Sequence, residues 1–235
     1  VTSFADLHAL PAEQLTNLNE LGYLTMTPVQ EASLPAILAG KDVRAQAKTG
    51  SGKTAAFGLG LLQRIDAKQF NTQSLVLCPT RELADQVANE LRRLARFLPN
   101  IKILTLCGGV PFSIQRDSLI HAAHIIVATP GRLLDHLNKQ TVTLADVKHW
   151  YLMRQIECWI WDFLMILATS FLKCRHNVKL CSFLQLGRMK SLKLVEKFNK
   201  ILSLLRLIHR MNCQRLNNNF MRSPVMANWD YYKSF

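Results

Sequence analysis

The chain has 235 residues, about half of them apolar, which suits one or two domains with a sizeable core. Its formal net charge is +13, yet residues 1–150 carry 15 Lys and Arg against 12 Asp and Glu, whereas residues 151–235 carry 14 against 4. The basic excess sits in the second stretch, so the overall charge is not by itself a nucleic-acid footprint. Along the first stretch, Pro11–Leu21 reads as a helix with Leu15, Leu18 and Leu21 on one face and Gly22 as its stop. Pro28–Ala39 reads as a second helix, ended by Gly40. Asp42–Ala47 is a short strand that enters a glycine-containing loop, and a helix follows over Lys53–Ile65. Ser74–Cys78 reads as a buried strand. Thr80–Phe97 is a helix with Thr80 as its N-cap and Leu83, Val87, Leu91 and Leu94 as its apolar stripe. Lys102–Cys107 and His124–Ala128 are further apolar strands, with helical stretches between and after them.

Strands and helices that alternate, with continuously apolar strands, predict an α/β domain around a mainly parallel sheet. Ligands of such sheets bind beyond the carboxyl ends of the strands. Cys78 and Cys107 end apolar runs, where a thiol acts as a small hydrophobe. Cys158, Cys174, Cys181 and Cys213 form no C-x-x-C pair and match no His spacing, so no zinc or redox site is expected. The N-terminal residues show no basic run followed by an apolar one. No secretory signal is expected, and the expected location is cytoplasmic.

"AKTGSGKT", Ala47–Thr54, carries the strongest chemical signal. It matches G-x-x-x-x-G-K-[ST] except that Ala47 replaces the first glycine. The residues are Ala47, Lys48, Thr49, Gly50, Ser51, Gly52, Lys53 and Thr54, and they lie between a predicted strand and a predicted helix. Gly50 and Gly52 let the backbone turn tightly, so that successive N–H groups face a phosphate. The helix N-terminus adds partial positive charge. Lys53 is placed to reach the β- and γ-phosphates, and Thr54 to offer its hydroxyl to Mg²⁺. A glycine-rich turn with an incidental lysine is the bland alternative, and the strand–loop–helix context argues against it. The motif establishes nucleotide chemistry without naming the reaction.

The neighbouring words narrow it. "GYLTMTPVQ" (Gly22–Gln30), "PTRELA" (Pro79–Ala84), "GG" (Gly108–Gly109) and "TPGR" (Thr129–Arg132) occur in order. With these the chain resembles the DEAD-box ATP-dependent RNA helicases over residues 1 to about 150. The resemblance implies a RecA-like P-loop domain, ATP and Mg²⁺ as cofactors, and RNA, of ribosomal type, as partner, with unwinding of short duplexes. It assigns adenine reading to Gln30, packing on the base to Phe4, and the supporting turn to Thr27 and Pro28. It assigns RNA contacts to Pro79, Thr80, Arg81, Gly108, Gly109, Thr129, Pro130, Gly131 and Arg132. Such hydroxyls, bare amides and guanidinium groups grip phosphates and sugars without reading sequence. In isolation Arg81 and Arg132 would read as solvated or ion-paired surface charges.

The resemblance stops near residue 150. The family's D-E-A-D and S-A-T words are absent as written, and the remaining acids, Glu157, Asp162, Glu196 and Asp230, stand in no matching context. A shifted reading frame, taking the last base of one codon and the first two of the next, changes this. Tyr151–Phe163 then permits L-D-E-A-D-R-M-L-D-M-G-F, and Lys179–Lys190 permits T-L-L-F-S-A-T-W-P-D-E. The sequence reading is therefore an incomplete RecA-like domain over 1–150 and a frameshifted, non-native tail over 151–235. Two central strands would be lost and sheet edges exposed. A membrane segment over Ile156–Leu172 is opposed by Glu157 and the central Asp162, and no membrane partner is expected. Ser191–Arg210 has the alternative reading of a basic amphipathic helix. An inactive ATP- or RNA-binding fragment is the rival to an active helicase.

Overall fold

A computed structural model of the chain describes residues 3–7, 9–48, 50–154 and 179–185, all within one compact unit spanning residues 1–192. The expectations for Thr49, for Ile156–Leu172 and for Ser191–Arg210 lie outside the described residues.

Two short helices open the chain. α1 (Ala12–Glu20) follows Pro11, and Gly22, in the left-handed region at φ +81°, turns the chain after it. α2 (Pro28–Leu38) starts with a capping box: the Thr27 side chain accepts from the Gln30 backbone N–H, and the Gln30 side chain accepts from the Thr27 N–H. Then β1 (Val43–Ala47) leads through the glycine loop into α3 (Lys53–Leu62), and β2 (Ser74–Leu77) into α4 (Arg81–Leu94). β3 (Ile103–Leu106), α5 (Phe112–Ser118), β4 (Ile125–Ala128) and α6 (Pro130–Asn138) complete the alternation. Every residue of β2 and β4 is buried, which explains why both read as unbroken apolar runs.

Among the described residues the sheet has six strands in the order β1-β6-β5-β2-β4-β3, and every pairing is parallel. β5 is His149–Arg154 and β6 is Lys179–Gln185. This corrects the expected loss of two central strands. Both lie inside the sheet, between β1 and β2, and β5 straddles the expected boundary at residue 150. The physical reason is in the residues. Trp150, Tyr151, Leu152 and Met153 are all buried, and such an apolar, aromatic run forms an interior strand whether or not it delivers catalytic acids. Because all neighbours are parallel, the carboxyl ends of the strands share one edge of the sheet.

The core fills between the sheet and the helices. Phe57 of α3 lies with its ring 5.2 Å from that of Tyr151, so the helix that follows the glycine loop packs on β5. α3 also packs on α2 and α4. Gly58 permits that last approach, since a Cβ there would come within 2.9 Å of Leu94 Cδ1. Among the described residues no helix is long and apolar enough to cross a membrane.

Candidate nucleotide and nucleic-acid site

The loop after β1 is built as its sequence demands. Gly50 and Gly52 have φ of +76° and +81°, a region that glycine enters without steric cost. Lys53 opens α3 and is only 8% exposed. Its ammonium donates to the carbonyls of Ala47, at 2.7 Å, and Lys48, with Ser51 Oγ at 3.4 Å. Burial lowers the Lys53 pKa. Among the described residues no carboxylate pairs with it. Thr54, half-buried, is the next residue of α3.

The capping box of α2 is fastened to this loop. Gln30 is 1% exposed, and its amide is engaged at both ends. Oε1 accepts from Thr27 N at 2.8 Å, while Nε2 donates to Gly52 O at 3.1 Å. Thr27 Oγ1 donates to Ser51 O at 2.8 Å. A Cβ at Gly52 would run into the Gln30 amide nitrogen, so glycine is required there by close approach as well as by φ. Gln30 thus abuts the loop, with one further N–H and one further lone pair on its amide. Phe4 is buried in the core, edge-on to Tyr23 with ring centroids 6.3 Å apart.

The RNA-assigned residues follow the ends of β2, β3 and β4. Pro79 is half-buried, and Thr80 is exposed and caps α4 by accepting from Leu83 N at 3.3 Å. Arg81 is exposed, 3.7 Å from Asp85, and lies against Gly109, where a Cβ would strike its guanidinium. Gly109 has φ +83°. Thr129 precedes α6, Pro130 is its first residue, and Gly131 and Gly108 are exposed with open space around them. The Arg132 guanidinium carbon is 5.9 Å from the Phe112 ring centroid. The structure therefore groups Thr27, Gln30, Ser51, Gly52 and Lys53 around one loop, and pairs Arg81 with Gly109.

Two polar pairs went unread in the sequence. Gln115 and His136 are buried and bonded to each other, and Tyr23 donates to Glu90 of α4. Single polar residues on apolar helix faces carry no spacing pattern that marks such partners.

The described residues fit the phosphate part of a nucleotide. A buried ammonium held by two carbonyls and a hydroxyl, with two left-handed glycines at a helix start, forms an anion cradle. They fit a metal less completely. Thr54 offers a hydroxyl, and no group of three or more His, Cys, Asp or Glu among the described residues is placed to hold an ion.

A profile of the DEAD/DEAH box helicase family matches residues 27–162. The chain is 82% identical over 144 residues to the ATP-dependent RNA helicase DbpA of Escherichia coli, covering 61% of this chain and 32% of that protein. It is 43% identical over 148 residues to the ATP-dependent RNA helicase CshA of Listeria monocytogenes, covering 63% and 28%. The chain thus spans about a third or less of these relatives. The crystal structure of a DEAD box protein from Methanococcus jannaschii superposes with a TM-score of 0.73 and 31% identity, over 84% of this chain and 54% of that one. A hypothetical ATP-dependent RNA helicase from Sulfolobus tokodaii gives 0.69 and 28%, over 83% and 55%. The matched profile takes in the phosphate loop and every one of the loops that follow β2, β3 and β4 along one edge of the sheet, and the chain belongs to the DEAD/DEAH box helicase family.

Proposed function

We propose that this chain is the nucleotide-binding half of an ATP-dependent RNA helicase, able to hold ATP and RNA but not to turn ATP over at a useful rate. The observation that carries the reading is the Lys53 cradle with Gln30 and Thr27 fastened to it. The triphosphate would displace the carbonyls of Ala47 and Lys48 from Lys53, with backbone N–H groups of the loop around its oxygens. Gln30 would turn its remaining donor and acceptor to the adenine edge. The loops after β2, β3 and β4 would take the RNA backbone, with ribosomal RNA the source that the family resemblance of the sequence implies.

Bound Mg²⁺ would neutralise phosphate charge, with Thr54 as its one protein donor among the described residues. Phosphoryl transfer depends on positioning and charge stabilisation, so the missing acids remove most of the rate. β5 ends at Arg154, where the shifted frame would place those acids. The residues beyond about 150 are accordingly read as a frameshifted segment, a scar of the D-E-A-D and S-A-T words. Resequencing the DNA around codon 151 tests this: a frame that no single-base change restores overturns it. The intact relatives' unwinding would be carried by the frame-restored protein.

The binding experiment is a titration with a fluorescent ATP analogue and an RNA-stimulated hydrolysis assay. Binding is expected to fall by at least about tenfold in Lys53→Ala, which removes a charge-assisted hydrogen bond to the phosphates. Hydrolysis is expected at background in both proteins. Turnover by the chain that disappears in Lys53→Ala would overturn the inactive reading, and no binding at all would overturn the nucleotide reading.

A further inference from the structure

The RNA-assigned loops that follow β3 and β4 are joined by a chain of buried polar side chains that the nucleotide site does not use. Gln115 of α5 is 4% exposed and His136 of α6 is fully buried. Gln115 Nε2 donates to Cys107 O at 2.8 Å, the carbonyl immediately before Gly108 and Gly109. Its Oε1 lies 3.2 Å from His136 Nε2. Since the amide nitrogen must face the carbonyl, the oxygen faces the ring, and His136 carries its proton on Nε2. The Nδ1 lone pair then faces Thr141 Oγ1, 2.7 Å away, whose single hydroxyl proton is shared between Nδ1 and the His136 carbonyl at 3.1 Å. His136 lies on the helix that Thr129–Arg132 begins. The Phe112 ring stacks on His136 with centroids 4.3 Å apart and planes 19° apart, and both Arg132 and Lys139 approach that same ring, Lys139 Nζ at 4.1 Å from its centroid.

We propose that Gln115 and His136 are positioning residues for RNA: they form a bridge that fixes the Gly108–Gly109 loop relative to the Thr129–Arg132 helix start, so that both grip one RNA backbone in a set spacing. This rests on the RNA reading of those loops. The geometry favours it because the bridge starts one residue from one loop and ends in the first two turns of the helix that carries the other. A buried polar chain costs stability unless every member is satisfied, and here each is bonded. Gly108 and Gly131 are exposed with open space around them, so the bridge supplies from within a placement that no outer neighbour gives, while Gly109 also has the Arg81 guanidinium against it.

The test uses the full chain and a fluorescent single-stranded RNA decamer, titrated by anisotropy at several salt concentrations, beside the ATP-analogue titration. Gln115→Leu, His136→Phe and the double variant are compared with wild type. Each single variant is expected to weaken RNA binding about tenfold, the double no more than either single, with analogue affinity within about twofold. The slope of log affinity against log salt should flatten by about 0.7 for each phosphate the protein no longer neutralises. Leu91→Ala, a core truncation on α4, should lower stability without flattening the slope. Thr141→Val, at the outer end of the bridge, keeps the proposal falsifiable if the buried variants do not fold, and is expected to weaken RNA binding about two- to threefold. RNA binding by wild type with unchanged affinity and slope in the variants overturns the bridge while the RNA reading stands. No RNA binding by wild type overturns both.

Discussion

At Gly52 two constraints meet on one residue. Its φ of +81° is open to glycine, and a Cβ would enter the space held by the Gln30 amide. Gly52→Ala is expected to cost about 1–2 kcal/mol from the left-handed backbone alone, read as a shift in a urea midpoint. It should also abolish ATP-analogue binding, because the Gln30 staple must move. His136 makes a second residue-scale prediction. Its pKa is lowered first by burial, then by Arg132, with Lys139 adding and Asp135 opposing. The folded state thus favours the neutral ring. That preference contributes stability that is complete above the ordinary value near 6.5 and is lost as pH falls below it toward the folded value. Urea midpoints at pH 7.5 and pH 5 should therefore fall further apart in wild type than in His136→Phe, and equal drops would contradict the assignment. Gly52 was legible in the sequence because a glycine motif names its own backbone need. His136 was not, because a buried histidine on an amphipathic helix looks like any core residue until its partners are seen.

Between elements, the clearest joint is the one linking the turn before α2 to α4. Tyr23 donates to Glu90, and its pKa is raised to about 12 by burial, by that hydrogen bond and by the Glu90 charge. Asn17 of α1 adds a bond to Leu94 O at 3.0 Å, so α1 and the turn dock together on the last turns of α4. Tyr23→Phe is expected to destabilise the fold by about 1–2 kcal/mol, measured by denaturant titration near pH 7. Wild type should lose this margin as pH rises from about 10 toward 12, since the raised pKa favours the phenol in the folded state. The strands and helices themselves were readable from periodicity and caps: Thr80 caps α4 as its position implied, and β2 and β4 are as buried as their apolar runs required. The joints were not readable, because they pair polar residues far apart in sequence, as Tyr23 and Glu90 are.

For the whole molecule, the sheet order decides what can be removed. β6 and β5 occupy the middle of the sheet, between the strand that feeds the phosphate loop and the strand that feeds α4. Truncation after Arg154 would leave β1 without its partner and β5 with a bare edge. It is expected to give aggregated protein by size-exclusion chromatography, where a soluble monomer would contradict the observed order. The sequence reading underestimated this region because it asked whether the family's acids were present. Strand formation depends instead on apolar, β-compatible side chains, and Trp150–Met153 supply those.

The position of β6 has a consequence for how the chain reaches its fold. Among the described residues β1 pairs with β6 alone, with Val43 opposite Cys181. Throughout synthesis, until that late segment has left the ribosome, the strand that carries the phosphate loop has no neighbour to zip against. Parallel pairing across so long a loop is intrinsically slow, and the interval leaves an open strand to the chaperones and to other nascent chains.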